Sequence, residues 1–413
     1  MLDVLERRIR GRSPAADSSG SSGILPPRAA GSWRTPLVPL LLAVFLFTPS
    51  TAASALGFRH PAWSLETPWG KIEVAGAASG FVFAQDHPQG APGTLGGRST
   101  GVSLTNGLVM LSRSKGLLRF RLDAGAYDLP TLGAALASAR STTEEFGALP
   151  IAELEVAPSP DFSVEVGKLP TLIGAENVFT FQNFNIERGL LWNVEPVISR
   201  GVQLNSHLGP VRVSVSWNDG YSSNRYDWLD GDLVWSPAGG GSVEFYAGGN
   251  LGQPGGEVDA ATGASITDGA DDSRIYGLIY TWNRGPWTLE PYVQFMTVPR
   301  QPTLGLRHGF SNRGGAILAR YRFGQGFSLA ARVEYLAIGG RPGFGESAAA
   351  EGVTSFPEDS HAWSFTLTPT YRQGGFFLRG ELSDVTATTP SGPGSGGPGS
   401  PQLRSLIEGG VLF

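Results

Sequence analysis

Charged side chains recur at every second position of otherwise apolar segments. Arg119 and Arg121 alternate with apolar residues along 118–122, so that on an extended strand the two guanidinium groups share one face. Such a face can line a water-filled bore, where fixed charges select among ions. The residues that we expect to line this bore and set its selectivity are Arg119, Arg121, Glu153, Glu155, Glu165, Glu176, Glu187, Arg212, Glu244, Glu290, Arg320, Arg322, Arg332, Arg379 and Arg404.

These wall charges are unevenly spread along the chain. Basic side chains concentrate on the first and last predicted strands, around the seam where a barrel would close, and acidic side chains concentrate on the strands between them. Two interpretations remain open. Both arcs could face one constriction and set up a transverse field across it, or the charges could form local cross-strand ion pairs that only satisfy one another.

Residues for catalysis or metal binding form no recognisable constellation. The five histidines are scattered, no His/Ser/Asp or His/Glu arrangement is evident, and the chain has no cysteine. We therefore expect no catalytic residue, no cofactor and no metal site. Two alternatives to a channel are an outer-membrane barrel hydrolase and a plugged barrel with a structural or surface-binding role.

Period-two alternation recurs along most of the chain and predicts the strands that must position the wall charges. Many glycines and prolines with few charged residues suit short strands joined by turns. The sequence predicts an all-β transmembrane antiparallel barrel of 16 strands, near 70–85, 101–113, 116–127, 149–157, 161–169, 195–205, 210–218, 227–236, 241–250, 274–283, 286–296, 312–323, 327–336, 361–371, 375–385 and 402–413.

Short and long links alternate between these strands, as in barrels with short periplasmic turns and long extracellular loops. Outward-facing aromatic residues cluster near the strand ends, where a membrane-interface girdle would lie. The predicted girdle comprises Trp217, Trp235, Trp282, Trp287, Phe295, Phe323, Phe327, Tyr335, Trp363, Tyr371 and Phe376.

The first 55 residues have the features of a secretory signal peptide. A long basic region precedes the 11-residue apolar core 37–47, and Ala53-Ser54-Ala55 is a small-residue cleavage site. We expect residues 1–55 to be removed on export to the Gram-negative outer membrane, 56–69 to be a periplasmic lead-in and 70–413 to form the barrel. Loss of six Arg and three acids would leave 25 basic and 33 acidic residues, a balance that argues against a nucleic-acid partner.

The longest predicted loop, 170–194, carries Phe179, Phe181 and Phe184 beside several polar residues. Because exposed aromatic clusters are unfavourable in water, we expect this loop to enter the lumen and narrow the bore; the alternative is an external loop packed on its neighbours. Small outward residues on the first four strands suggest an oligomer, by analogy a homotrimer.

One stretch also supports a family resemblance. Residues 164–204 resemble the OmpL-like β-barrel porin family of Gram-negative bacteria through Val166-Gly167-Lys168, Gly174-Ala175-Glu176, Glu195-Pro196 and Arg200-Gly201-Val202. The resemblance implies a pore-forming role in the outer membrane. Together with the charged inward faces, we expect a channel for passive diffusion of ions and small hydrophilic solutes through a charge-lined aqueous pore. The closing aromatic residue Phe413 also resembles that family, in whose membrane-embedded barrels it would be a recognition signal for the barrel assembly machinery.

Overall fold

The computed structural model describes residues 63–252, 270–300, 308–339, 356, 359–388 and 401–413. The predicted signal peptide, 1–55, and the first part of the predicted lead-in lie outside these residues. Residues 63–69 of the lead-in are described and contain a short strand.

The described chain forms one antiparallel sheet that closes on itself. Its strands are β1 (Trp63–Thr67), β2 (Gly70–Gln85), β3 (Thr100–Arg113), β4 (Leu118–Tyr127), β5 (Ile151–Ser159), β6 (Phe162–Pro170), β7 (Ile198–Leu208), β8 (Val211–Asn218), β9 (Trp228–Trp235), β10 (Gly241–Asn250), β11 (Arg274–Arg284), β12 (Trp287–Val298), β13 (Phe310–Gly324), β14 (Phe327–Gly339), β15 (Ser360–Gln373), β16 (Phe376–Thr388) and β17 (Gln402–Leu412). Strands β2 to β17 pair in chain order, and β17 closes the barrel by pairing with β2, with Ile407 opposite Val82. The predicted 16-stranded barrel is confirmed, and β1 is an additional strand that pairs with the start of β2.

Alternation along each strand separates an apolar outer surface from a polar interior. On β15, Trp363 and Phe365 are exposed, whereas their neighbours Ser364 and Thr366 are buried. An exposed apolar band of this kind is stable against lipid but not against water. The sequence pattern therefore orients the wall charges toward the lumen.

The connections fall into two classes, one at each end of the barrel. Short links lie at 68–69, 114–117, 160–161, 209–210, 236–240, 285–286, 325–326 and 374–375. We call this the short-turn end and the opposite end the long-loop end. Long links at the latter include 86–99, 128–150 and 171–197.

The structure departs from the predicted elements at two places that matter for the lumen. Strand β7 begins at Ile198 rather than 195, because Leu191–Val194 forms a 3-10 turn and Pro196 has no N–H to donate to a sheet. The link 128–150 contains a helix that the strand pattern did not predict, α1 (Ala139–Phe146), whose first turn is capped by Ser138 accepting a hydrogen bond from the Ser141 N–H at 3.2 Å.

Among the described residues, no helix is both long and apolar enough to cross a membrane.

Candidate functional site

The link between β6 and β7, residues 171–197, contacts inward-facing side chains of the opposite strands. We call this segment the inner loop. Its aromatic residues are buried: Phe179 stacks on Phe181 with ring centroids 5.7 Å apart and meets Tyr127 edge-on at the same separation. Burying these rings offsets part of the cost of ordering a long loop.

Arg332 on β14 is one ionic anchor of the inner loop. Its Nη1 donates to Glu176 at 2.7 Å and to the Glu187 carbonyl oxygen at 2.8 Å, and its Nε lies 3.1 Å from Glu334. The Arg332 side chain is fully buried with both carboxylates. Because a buried charge without a partner is costly, these contacts fix the loop against β14.

Two further arginines repeat this arrangement on neighbouring strands. Arg404 on β17 forms an ion pair with Glu187 of the inner loop. Arg379 on β16 forms an ion pair with Glu408 on β17, and its Nη1 donates to the Asn183 carbonyl oxygen at 3.2 Å. All four side chains are buried.

Carboxylates of the wall also accept hydrogen bonds from the inner-loop backbone. Glu381 accepts from the N–H groups of Ile186 and Glu187 at 2.5 and 2.8 Å. Glu334 accepts from the Leu190 N–H at 3.1 Å. The inner loop is therefore held by charge-assisted bonds along most of its length. We call the wall formed by β14 to β17 the loop-covered wall.

Burial also changes the acidity of groups in the long loops. It raises the pKa of Asp128 to about 7, although a hydrogen bond from the Leu129 N–H and the charge of Arg188 oppose the change. It lowers the pKa of Arg188 to about 10. Burial, assisted by Glu176 and Glu334, holds the pKa of Glu195 well above its usual value. The region behind the inner loop thus resembles a protein interior rather than a wet channel.

The inner loop turns its neutral residues away from the wall. Asn177 is exposed and Gln182 half-buried, whereas Glu176 and Glu187, both predicted to line the bore, are 6% and 0% exposed. The structure likewise places Arg332, Arg379 and Arg404 behind the loop, each 1% exposed. The charged residues predicted to set selectivity thus fall into two groups. One group lies behind the inner loop, and the other is not covered by it.

The uncovered group lies on the opposite side of the lumen. We call the inward charges of β4 to β6 together with Arg212, Glu244 and Glu290 the open wall; most of them are partly solvent-exposed. Arg119 pairs with Glu155 at 3.0 Å and Arg121 with Asp123 at 2.6 Å. Their side chains are 28% and 32% exposed, so these pairs are in contact with water.

Several open-wall carboxylates take part in no ion pair among the described residues. Glu165 lies directly opposite Glu155 in the β5–β6 register, and its hydrogen bonds come from the amides of Gln203 and Asn205 at 3.2 and 2.9 Å. Glu153 lies opposite Arg121, whose guanidinium is directed to Asp123. Within the described residues, no ion pair reaches Glu153 or Glu165.

Two predicted bore arginines occupy the short-turn half of β13. Arg320 lies over the Phe184 ring of the inner loop, 4.6 Å from its centroid. Arg322 is exposed and donates to the Gly285 carbonyl oxygen at 3.1 Å. Arg320 thus contacts the edge of the inner loop through Phe184 and borders the part of the lumen that the loop leaves open.

The predicted girdle residues all lie on outward positions of their strands. Trp217, Trp235, Trp287, Phe295, Phe323, Phe327, Trp363 and Phe376 are exposed, while Trp282, Tyr335 and Tyr371 are half-buried among neighbouring rings or side chains. Phe327 and Tyr371 contact at a centroid separation of 4.5 Å. Phe413 exchanges backbone hydrogen bonds with Gly76 at the short-turn end and packs against Trp63.

The alternating sequence pattern did not indicate the neutral partners that complete the loop-covered wall. Thr180 donates to Glu408 at 3.0 Å, Thr368 to Glu381 at 2.7 Å and Ser383 to Glu187 at 2.9 Å. The only local signal was the run of Ser and Thr at inward positions, which does not identify a partner.

Comparisons with known proteins agree with this geometry. Residues 71–413 match the family model described as "Putative beta-barrel porin-2, OmpL-like". An anion-selective porin from Comamonas acidovorans is 11% identical, with 83% of this chain covering 99% of that one at a TM-score of 0.56. The channel DcaP of Acinetobacter baumannii is 10% identical, with 84% of this chain covering 99% of that one at 0.55.

A third similar structure is OmpT of Vibrio cholerae in its trimer form, 10% identical, with 83% of this chain covering 99% of that one at a TM-score of 0.51. No curated protein sequence matches the chain. At such low identities the solved structures show a shared fold, whereas the family match spans nearly the whole barrel. The chain belongs to the OmpL-like β-barrel porin-2 family and is a porin-like barrel of the Gram-negative outer membrane.

Proposed function

We propose that the barrel is a passive diffusion channel for ions and small hydrophilic solutes, and not an enzyme. The observation that carries this proposal is the division of the lumen: the inner loop occupies one side, and the open wall lines the other with partly hydrated charges. A bore with charged, hydrated walls lets small polar solutes pass and excludes large or apolar ones.

The inner loop narrows this channel. Its attachment through Arg332, Arg404 and Glu381 holds the neutral face with Asn177 and Gln182 toward the open wall. Because the attachment uses buried ion pairs, the loop acts as a fixed constriction and not as a loosely hinged lid.

The channel is tested by reconstitution into planar bilayers. Wild-type protein should give discrete conductance steps, and deletion of 179–185 should increase their size because it shortens the loop and removes its buried rings. Deletion of seven residues from the Gly-rich segment 392–398 is the matched control and should leave the steps unchanged. Equal conductance of wild type and the 179–185 deletion would exclude the constriction.

Folded protein that gives neither conductance steps nor liposome swelling would instead support a plugged barrel that binds ligands at its surface. Release of fatty acid from lipid by purified protein would support a barrel hydrolase. The three assays use the same preparation, so together they distinguish the three functions.

The outer surface supports a homotrimer. Ala78, Gly80, Ala124, Ala126 and Ala152 are small residues at outward positions of β2, β4 and β5, and small residues let two membrane surfaces approach closely. OmpT of Vibrio cholerae, which has a similar fold, is known in a trimer form. Light scattering in detergent should report three times the protein mass of the chain, and a monomer mass would contradict the trimer.

A further inference from the structure

The basic side chains of the loop-covered wall are paired with carboxylates and do not face the bore. Arg332 is paired with Glu176 and Glu334, and Arg404 is paired with Glu187. Arg379 is paired with Glu408 in the same way. Because these basic side chains are buried, they offer no exposed positive surface to a passing ion.

The bore-facing side of the inner loop adds no charge in their place. Its exposed or half-buried side chains between 171 and 182 are uncharged, with Asn177 and Gln182 the largest polar ones. The field in the narrow part of the bore is therefore set by the open wall.

The open wall is acidic once its internal ion pairs are taken into account. Arg119, Arg121 and Arg212 are each engaged by a carboxylate, namely Glu155, Asp123 and Asp232. The partly exposed carboxylates that remain without an ion pair among the described residues are Glu153, Glu165, Glu244 and Glu290. Arg320 and Arg322 on β13 are the basic residues that oppose these charges, and Arg320 lies over the Phe184 ring.

The register of β5 and β6 strengthens this imbalance. Glu155 and Glu165 are direct cross-strand partners on the lumen side. Like charges at directly opposed positions destabilise a sheet unless a counter-ion lies between or beside them. The hydrogen bonds to Glu165 come from neutral amides, and among the described residues no ion pair neutralises this carboxylate.

We propose that the channel is cation-selective, with the open wall concentrating hydrated monovalent cations and small cationic solutes in the constriction. This inference rests on the proposed channel function. Low-dielectric walls around the carboxylates focus the field, so the local cation concentration rises above that of the bulk.

The test is the reversal potential of wild-type channels across a KCl gradient. The expected sign corresponds to K⁺ passing more readily than Cl⁻. The double variant Glu153→Gln/Glu165→Gln should lower the K⁺ to Cl⁻ permeability ratio by about twofold or more, since it removes two unpaired charges from the constriction. Asp161→Asn, a charge change at an exposed site in a short turn, is the matched control and should leave the ratio unchanged.

A second measurement uses wild-type protein alone, so it tests cation selectivity even if the double variant folds poorly. Lower ionic strength lengthens the Debye screening distance, so the cation preference should increase as salt is diluted. Preference for Cl⁻, or a preference that does not change with salt, would overturn cation selectivity while leaving the channel intact. Absence of any conductance from folded protein would overturn the channel itself and the selectivity with it.

Discussion

The two sides of the lumen carry the same types of charged residue in the same alternating pattern, yet they differ in environment. Arg332 on the loop-covered wall is fully buried, whereas Arg119 on the open wall keeps 28% of its side chain in solvent. The difference comes from the inner loop, which removes water from one side. A charge on a barrel wall is thus a structural anchor or a selectivity element according to what covers it.

The two walls also differ in where their ion-pair partners lie in the chain. Arg119 and Glu155 face each other on adjacent strands. Glu187 and Arg404 are separated by 217 residues. Open-wall pairs therefore form with the sheet itself, as does Arg379–Glu408 between β16 and β17, whereas the pairs of Glu176 and Glu187 require the inner loop to reach β14 and β17.

The largest effect should come from removing one buried arginine. Arg332→Met leaves Glu176 and Glu334 buried without their cation and should lower the free energy of unfolding by about 3–5 kcal/mol. Arg119→Met, the matched change on the open wall, should cost within about 1 kcal/mol because its pair is hydrated. Denaturant unfolding in detergent micelles measures both, and equal losses would remove the distinction between the walls.

A smaller effect is expected at the glycine that the inner loop requires. Gly174 has a φ of +90°, and a Cβ there would lie 2.0 Å from a carboxyl oxygen of Glu195. Gly174→Ala should cost roughly 1–3 kcal/mol of unfolding free energy and make single-channel currents noisier as the loop loosens. The control is Gly209→Ala, because Gly209 lies in a short turn with a positive φ but with open space around it. This variant should lose about 1 kcal/mol of unfolding free energy, and its single-channel current noise should equal that of wild type. Equal current noise in both variants would contradict a fixed inner loop.

The smallest effect concerns pH and the region behind the inner loop. The pKa of Asp128 is about 7 in the folded protein, above its ordinary value of 3.8, so its contribution to stability is fully present below 3.8 and is lost as pH rises from there through 7. Asp128→Asn should flatten the decline in stability between about pH 6 and pH 8 by about 1 kcal/mol. Unfolding curves across that interval measure the change, with Asp161→Asn as the exposed control. An unaltered slope would show that Asp128 is ionised in the folded protein.

Much of the fold could be predicted because strand alternation is a local property. The positions of Ser364 and Trp363 on opposite faces follow from adjacent residues alone. The helix α1 was missed because it interrupts a link that has no alternation to indicate its structure. The start of β7 was wrong by three residues because the predicted strand included Pro196, which has no N–H to donate to a neighbouring strand.

The candidate site was only partly predictable for a different reason. The aromatic residues of the inner loop indicated that it packs against something, but nothing local shows which wall it meets. The assignment of Glu176 and Glu187 to selectivity stays a prediction, and their burial against Arg332 and Arg404 favours an anchoring role.

The sequence by itself determined the barrel, its 16 strands, the apolar outer band and the inward direction of each wall charge, because a period of two specifies the face of every strand residue. Only the tertiary structure decided which charges meet water. That outcome depends on the inner loop crossing the closed lumen and excluding solvent from β14 to β17, and the partners involved are brought together only by barrel closure.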